Sequence, residues 1–200
     1  MTYKVSTRQL TETVAAVVDP ISLPEAKAHL RLDYCDEDTL VVAQIKAATQ
    51  WVENYLQRSL VQRTYRADIP YFPGRIVLPM MPLLSVTNIK YYNTDSPQVL
   101  TTLDSAVYGA DLGYNCLYLA DGQSLPSSAS RHDAVQITYV AGYAGSTDSP
   151  VDYAGTVPSA IKSAIKLQVG DLFENREVNT QLRMQKLDTV TALLSAYRNL

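Results

Sequence analysis

Hydrophobic positions along this chain change period twice: they recur at three- and four-residue steps from Leu23 to Leu60, alternate in short runs from Gln62 to Tyr143, then return to the helical step from Val157. A period near 3.6 marks amphipathic helix and a period of two marks half-buried strand. Ser22-Leu23-Pro24-Glu25 has the spacing of a capping box with proline in the first turn, so a helix is predicted over 23–32 with Ala26 and Leu30 on its buried face. The polar stretch from Asp33 to Asp38 breaks it, and Asp36-Glu37-Asp38 places negative charge where it favours the start of a second helix. In that helix, of about twenty residues and roughly 30 Å, Val41, Ile45, Ala48, Val52 and Tyr55 share one stripe, which Leu40, Ala47, Trp51 and Leu56 widen. A stripe that wide calls for more than one packing neighbour.

The alternating region predicts strands at 62–68, 75–79, 85–92, 116–119 and 134–140, with loops at 103–113 and 122–131. Pro70, Pro73, Pro79 and Pro82 predict that the early strands are short or lie at edges, because proline cannot donate to a ladder. A polar linker over 146–155 leads to a third helix opened by Val157-Pro158 and carrying Ile161, Ile165, Val169 and Leu172. After a polar stretch at 179–187, Asp188 can cap a last short helix with Val190, Leu193, Leu194 and Tyr197 on one side. Residues 1–20, rich in Thr and Val without helical period, read as an extended N-terminal arm that orders against something else. The fold class expected is α+β: a small bundle of about four helices with an inserted antiparallel β-rich region. The arm at 1–20 is followed by a single domain over 21–200, with helices near 22–58 and 157–197 and the β insertion near 61–145.

Composition removes several functions. Seventeen basic against twenty acidic residues give a net charge of −3, with no basic third of the chain, which argues against a general nucleic-acid binder. Two cysteines, one in the charged stretch at Cys35 and the other at Cys116, do not make a disulfide framework, and a reducing compartment is expected. The first ten residues have no apolar core of signal-peptide length, and no run approaches the roughly eighteen apolar residues of a spanning helix. His29 and His132 are the only imidazoles and stand in different segments, so neither belongs to a sequence cluster of metal ligands or to a triad. There is no Gly-x-Ser-x-Gly elbow. Asp36-Glu37-Asp38 lacks the alternation and glycine of a calcium loop, and Gly142-Tyr143-Ala144-Gly145 lacks the Lys-Ser/Thr of a phosphate loop. No catalytic residue, cofactor or metal is assigned. Fourteen tyrosines against two phenylalanines point instead to surfaces that are wet in one state and covered in another. Tyr65, Tyr91, Tyr92 and Tyr139 read as ordinary strand residues, whereas Tyr71-Phe72 sits in a proline-bounded loop and, like Tyr143 and Tyr153, suits an interface.

One ordered set of segments resembles the head–tail connector, or adaptor, proteins of tailed bacteriophages, in the long form with a β-rich insertion. The set runs from Ile21-Ser22-Leu23-Pro24-Glu25-Ala26 through Leu30-Arg31-Leu32-Asp33, an acidic helix start, Pro82-Leu83-Leu84-Ser85-Val86-Thr87-Asn88-Ile89 and Tyr91. It continues with Val135-Gln136-Ile137-Thr138-Tyr139-Val140, Val157-Pro158 with Ile161 and Ile165, Glu174-Asn175-Arg176-Glu177, and Leu193-Leu194 with Tyr197-Arg198. The arm at 1–20 departs from the family pattern. The resemblance implies a non-enzymatic virion protein made in the bacterial cytoplasm, a closed homo-oligomeric ring, dodecameric by analogy, under the portal protein at the neck. Such a ring extends the DNA channel, letting DNA pass without specific recognition, and offers a platform to the next neck or tail-completion protein.

Residues can be attached to those roles. The wide stripe of the second helix, at Val41, Ile45, Trp51, Val52 and Tyr55, is the expected subunit interface. Tyr71 and Phe72 are the expected platform for the distal partner. Val190, Leu193, Leu194 and Tyr197 form a helix too short to be stable alone, so it must dock, either on its own subunit or in a groove of the portal. Two rivals stand beside this reading: a monomeric minor capsid or tail protein using its β region as a binding module, and, remotely, a small hydrolase.

Overall fold

The computed structural model describes residues 2–145, 156–175 and 189–198. The linker at 146–155 with Tyr153, the helix end at Arg176-Glu177, the polar stretch at 179–187 and the capping role of Asp188 lie outside the described residues. The chain divides into two compact units, one from Met1–Ala16 and Gln62–Ala144, the other from Val17–Val61 and Gly145–Leu200. The fold is mixed α+β.

The second unit is helical. Its first helix, α1 (Leu23–Leu30), starts at Ser22, whose hydroxyl accepts from Glu25 N while the Glu25 carboxylate accepts from Ser22 N at 2.9 Å. That backbone donor is the largest influence holding the Glu25 carboxyl below its ordinary range, with Lys166 and Lys162 adding to it. The helix ends two residues earlier than its pattern predicts because Arg31 takes a left-handed conformation at φ 57°. Helix α2 (Asp38–Leu56) starts within the acidic stretch and closes at Gln57, again left-handed. Lys27 on α1 reaches Asp38 at 2.7 Å. After Pro158, α3 (Ser159–Glu174) packs on both α1 and α2. Gln44 on α2 donates from Nε2 to the Leu172 carbonyl at 3.1 Å, and Glu53, only 3% exposed, accepts from Leu60 N at 2.9 Å, which fixes how the chain leaves α2. Residues 189–194 are helical and end in a single turn at Ser195–Tyr197.

The first unit is built from two sheets. One has strand order β2 (Leu10–Val14), β3 (Arg63–Ile69), β9 (Val135–Ala141), β5 (Leu83–Tyr92) and β6 (Leu100–Thr102), antiparallel throughout. The other runs β1 (Thr2–Lys4), β4 (Arg75–Val77), β8 (Cys116–Leu119) and β7 (Tyr108–Asp111), with β1 parallel to β4 and the remaining pairs antiparallel. Strict alternation buries Val135, Ile137, Tyr139 and Ala141 of β9, and these join Ile69, Ile76, Leu78, Ile89 and Leu117 in one core. Tyr139 lies at its centre, unexposed, its hydroxyl donating to the Pro79 carbonyl at 3.0 Å.

Four strands depart from the pattern reading. The stretch at 2–14, read as an arm, is extended but pairs within its own unit, as β1 against β4 and β2 against β3. Val5, behind β1, is 3% exposed. Proline does shorten β4 to three residues, yet β4 is interior, since β1 covers one side and β8 the other. β6 escapes the pattern because it is a short exposed edge. β7 falls in the stretch read as loop because Gly109 interrupts it, and the Tyr118 ring of β8 lies over that glycine, where a side chain would push the exposed ring aside.

A buried asparagine locks these strand ends together. Asn115, 1% exposed and left-handed at φ 51°, accepts from Leu83 N on its Oδ1 at 2.8 Å, while its own carbonyl accepts from Leu78 N at 2.9 Å. Asn115→Ala is expected to cost about 1–3 kcal/mol, because it strands the Leu83 amide and loses a residue type that tolerates the left-handed region. Urea unfolding of the variant measures this, and a change below half a kcal/mol would remove Asn115 from that role.

Candidate interaction surfaces

The expected interface residues on α2 divide into two sets. Val41, Ile45 and Val52 are 0%, 2% and 0% exposed, already covered inside their own chain. Trp51 and Tyr55, one turn apart, are half-buried and stack with ring centroids 5.5 Å apart and planes 7° apart. The Arg198 guanidinium lies 5.0 Å over the Tyr55 ring, and Arg58 donates through Nε to the Tyr197 carbonyl at 2.7 Å. Aromatic faces attract cations through their quadrupole, so the rings and Arg198 make a ladder along the end of α2. No single-sequence signal joins residues so far apart in the chain.

That ladder shows where the C-terminal segment goes. Val190 is 3% exposed and Leu194 is fully buried, so of the residues expected to dock on the portal these two are taken up by their own chain. Tyr197 is half-buried and held through its carbonyl. Leu193, 37% exposed, is the member of the stripe that still faces outward. Deleting 188–200 is therefore expected to destabilise the helical unit, contrary to a purely external docking role.

The β unit carries the other candidate surface. Tyr71 is 44% exposed and meets Tyr3 edge-on at 5.7 Å. It lines an open groove with Pro70 and with Ser128, Ala129, Ser130, Arg131 and His132. Phe72 turns the other way, edge-on to Tyr91 at 5.5 Å and against the core, which makes it a packing residue more than a contact residue. Arg131 lies 3.7 Å over the Tyr92 ring and is held by Asp133 through Nε at 2.5 Å and a second nitrogen at 2.8 Å. That fork is the main reason the Asp133 carboxyl sits below its ordinary range. With its charge committed, Arg131 is a fixed wall of the groove. On the hairpin joining β7 and β8, the Asp111 carboxylate accepts from Gly113 N and Tyr114 N at 3.0 and 3.2 Å, holding Leu112 and Tyr114 outward at 49% and 73% exposure.

Sites for chemistry do not emerge from the described residues. No group of three or more His, Cys, Asp or Glu is placed to hold a metal. His132 is almost wholly exposed, and His29 lies near Gly170 of α3. The apolar cavity beside Phe72, Ile89 and Leu117 has a volume of ≈ 20 Å3, about one water and too small for a substrate. No described helix is long and apolar enough to cross a membrane.

Comparison with known proteins places these surfaces beside known relatives. Residues 20–102, from the start of α1 through β6, match the family model of phage gp6-like head-tail connector proteins. A chain from the virion of the native gene transfer agent particle superimposes with a TM-score of 0.75 at 21% identity, over 96% of this chain and 95% of that one. Chains from the neck of the empty particle, computed with C6 symmetry, and of the native particle, computed with C12 symmetry, give TM-scores of 0.75 and 0.72 at 18% and 20% identity with the same coverage. No curated protein matches the sequence. The resemblance to head–tail connector proteins read from the sequence is borne out.

Proposed function

We propose that this chain is a structural protein of a phage-type virion neck, working as a head–tail adaptor. In this reading it forms a ring under the portal, extends the DNA channel and presents a platform to the next neck or tail protein. The observation that carries it is the agreement of the family match over 20–102 with a fold shared, nearly end to end, with chains of the gene transfer agent virion and neck. The C6 and C12 symmetries of those neck structures support a ring. The β region at 62–144 is read as an insertion between the two halves of the helical unit. A net charge of −3 suits a channel wall, since each added lysine or arginine would gain counterion-release affinity for passing DNA.

The exposed residues carry the contacts in this proposal. Trp51 and Tyr55 lie in the belt between subunits, Leu193 meets the portal, and Tyr71 meets the distal partner. The test is the mass of the purified chain alone and with its portal, together with electron microscopy of the mixture. Rings on the portal are expected, with Leu193→Ser weakening portal binding and Tyr71→Ser leaving it intact. A chain that stays monomeric with portal present would instead favour the recruited binding module.

A further inference from the structure

We infer that neighbouring copies join by pairing β2 of one with β6 of the next, in parallel, so that the five-stranded sheet continues from subunit to subunit. The inference rests on the ring reading and adds to it the contact that sets the register. Among the described residues, β2 and β6 are the two edges of one sheet, each with an unpaired side. Exposed edges are templates for another strand, and natural proteins shield them with charges, prolines or bulges. β6, Leu-Thr-Thr, has none of these within it, and Val99 and Leu100 at its start are 53% and 38% exposed. β2 does carry a charge and a bulge, but the bulge comes only after Glu12, and the Glu12 carboxylate lies 3.8 Å from Arg63 of β3 within its own sheet, which leaves Leu10–Glu12 regular. The edges of the second sheet are less inviting, since β1 carries Lys4 and β7 carries Gly109 and Asp111.

Direction follows from topology. Four antiparallel steps separate β2 from β6, so the two strands run the same way. Rotation about a ring axis preserves the axial component of a strand, so successive copies bring β6 to β2 in parallel. A two-fold dimer would instead set β2 against β2, antiparallel. The ladder also fixes the faces. Leu10 lies opposite Ala67 on the core side, and Thr101 lies opposite Tyr91 on that side. Keeping core side with core side sets Leu10 beside Val99, the residue just ahead of β6, Thr11 beside Leu100 and Glu12 beside Thr101. Three paired residues fall well short of the roughly 800 Å2 per partner of a stable interface, so this contact specifies register within a ring held by other surfaces.

The test introduces T11C and L100C together into the full chain with the exposed Cys35 replaced by serine, and treats it with a short bismaleimide while its mass is followed. The expected result is a ring by mass and, on denaturing gels, a ladder of covalent multimers that neither single-cysteine variant forms. Rings without a ladder would overturn the strand pairing and leave the ring standing. Cross-linked dimers from T11C alone would show two-fold pairing and overturn it as well. A chain that never exceeds monomer mass, alone or with portal, would overturn the ring reading and the inference with it.

Discussion

Val52→Asp is expected to cost the helical unit about 4 kcal/mol or more, enough to unfold it in a protein of ordinary stability. Val52 is 0% exposed on α2, on the stripe that also buries Val41, Ile45 and Ala48. A lone carboxylate there has no partner to offset its lost hydration. Burial favours the neutral acid, so the introduced group's folded pKa rises above the ordinary value near 4. The folded state then holds the proton more tightly than the unfolded one. The penalty is accordingly smallest below pH 4 and grows as pH rises through that value. Trp51 is the single tryptophan and sits one residue away, so its fluorescence reports this unit during urea unfolding. Trp51→Asp removes that fluorophore, so its unfolding is followed by far-ultraviolet circular dichroism; at a half-buried position it should cost less and impair assembly more. Equal stability losses for the two variants would contradict the division of α2 into a covered and an open face.

Tyr139→Ala should have a comparable effect on the β unit, about 3–5 kcal/mol for emptying the centre of its core. Tyr139→Phe keeps the ring and strands the Pro79 carbonyl, at about 1–3 kcal/mol. The wild-type hydroxyl also makes an alkaline limit. Burial, with the neighbouring Tyr65 phenol adding to it, pushes Tyr139 ionisation far above the ordinary tyrosine range, and burial raises Tyr108 too. A group with a raised folded pKa contributes stability that is complete below its unfolded value, near 10 for tyrosine, and is lost as pH climbs past it. Hydrogen exchange of β3 and β9 at about pH 8 and about pH 11 should show the wild type losing protection and Tyr139→Phe losing less. Identical alkaline losses would put the sensitivity elsewhere.

Much of the framework was legible because it depends on local chemistry. The capping box places the start of α1 at the expected residue, and the 3.6-residue stripe gives α2 to within a residue or two at its ends. Alternation gives β3, β5 and β9, of which β3 and β9 bury every second residue in an unbroken run, and a short apolar run gives β8. The missing strands β1, β2, β6 and β7 are short, exposed at edges or broken by glycine, and such strands take their stability from partners far along the chain. No local pattern records that partnership.

The candidate surfaces divide along the same line. Sequence by itself determined that this protein has a wide apolar stripe on α2, a tyrosine-rich strand region and no motif for catalysis, because residue type and spacing carry those facts. Only the tertiary structure decided that Val41, Ile45 and Val52 are already covered while Trp51 and Tyr55 remain reachable. It alone set Val190 and Leu194 into their own chain, with Arg198 over Tyr55. Burial depends on what arrives from elsewhere in the chain, and a hydrophobic period says only that a face must be covered, never by which partner.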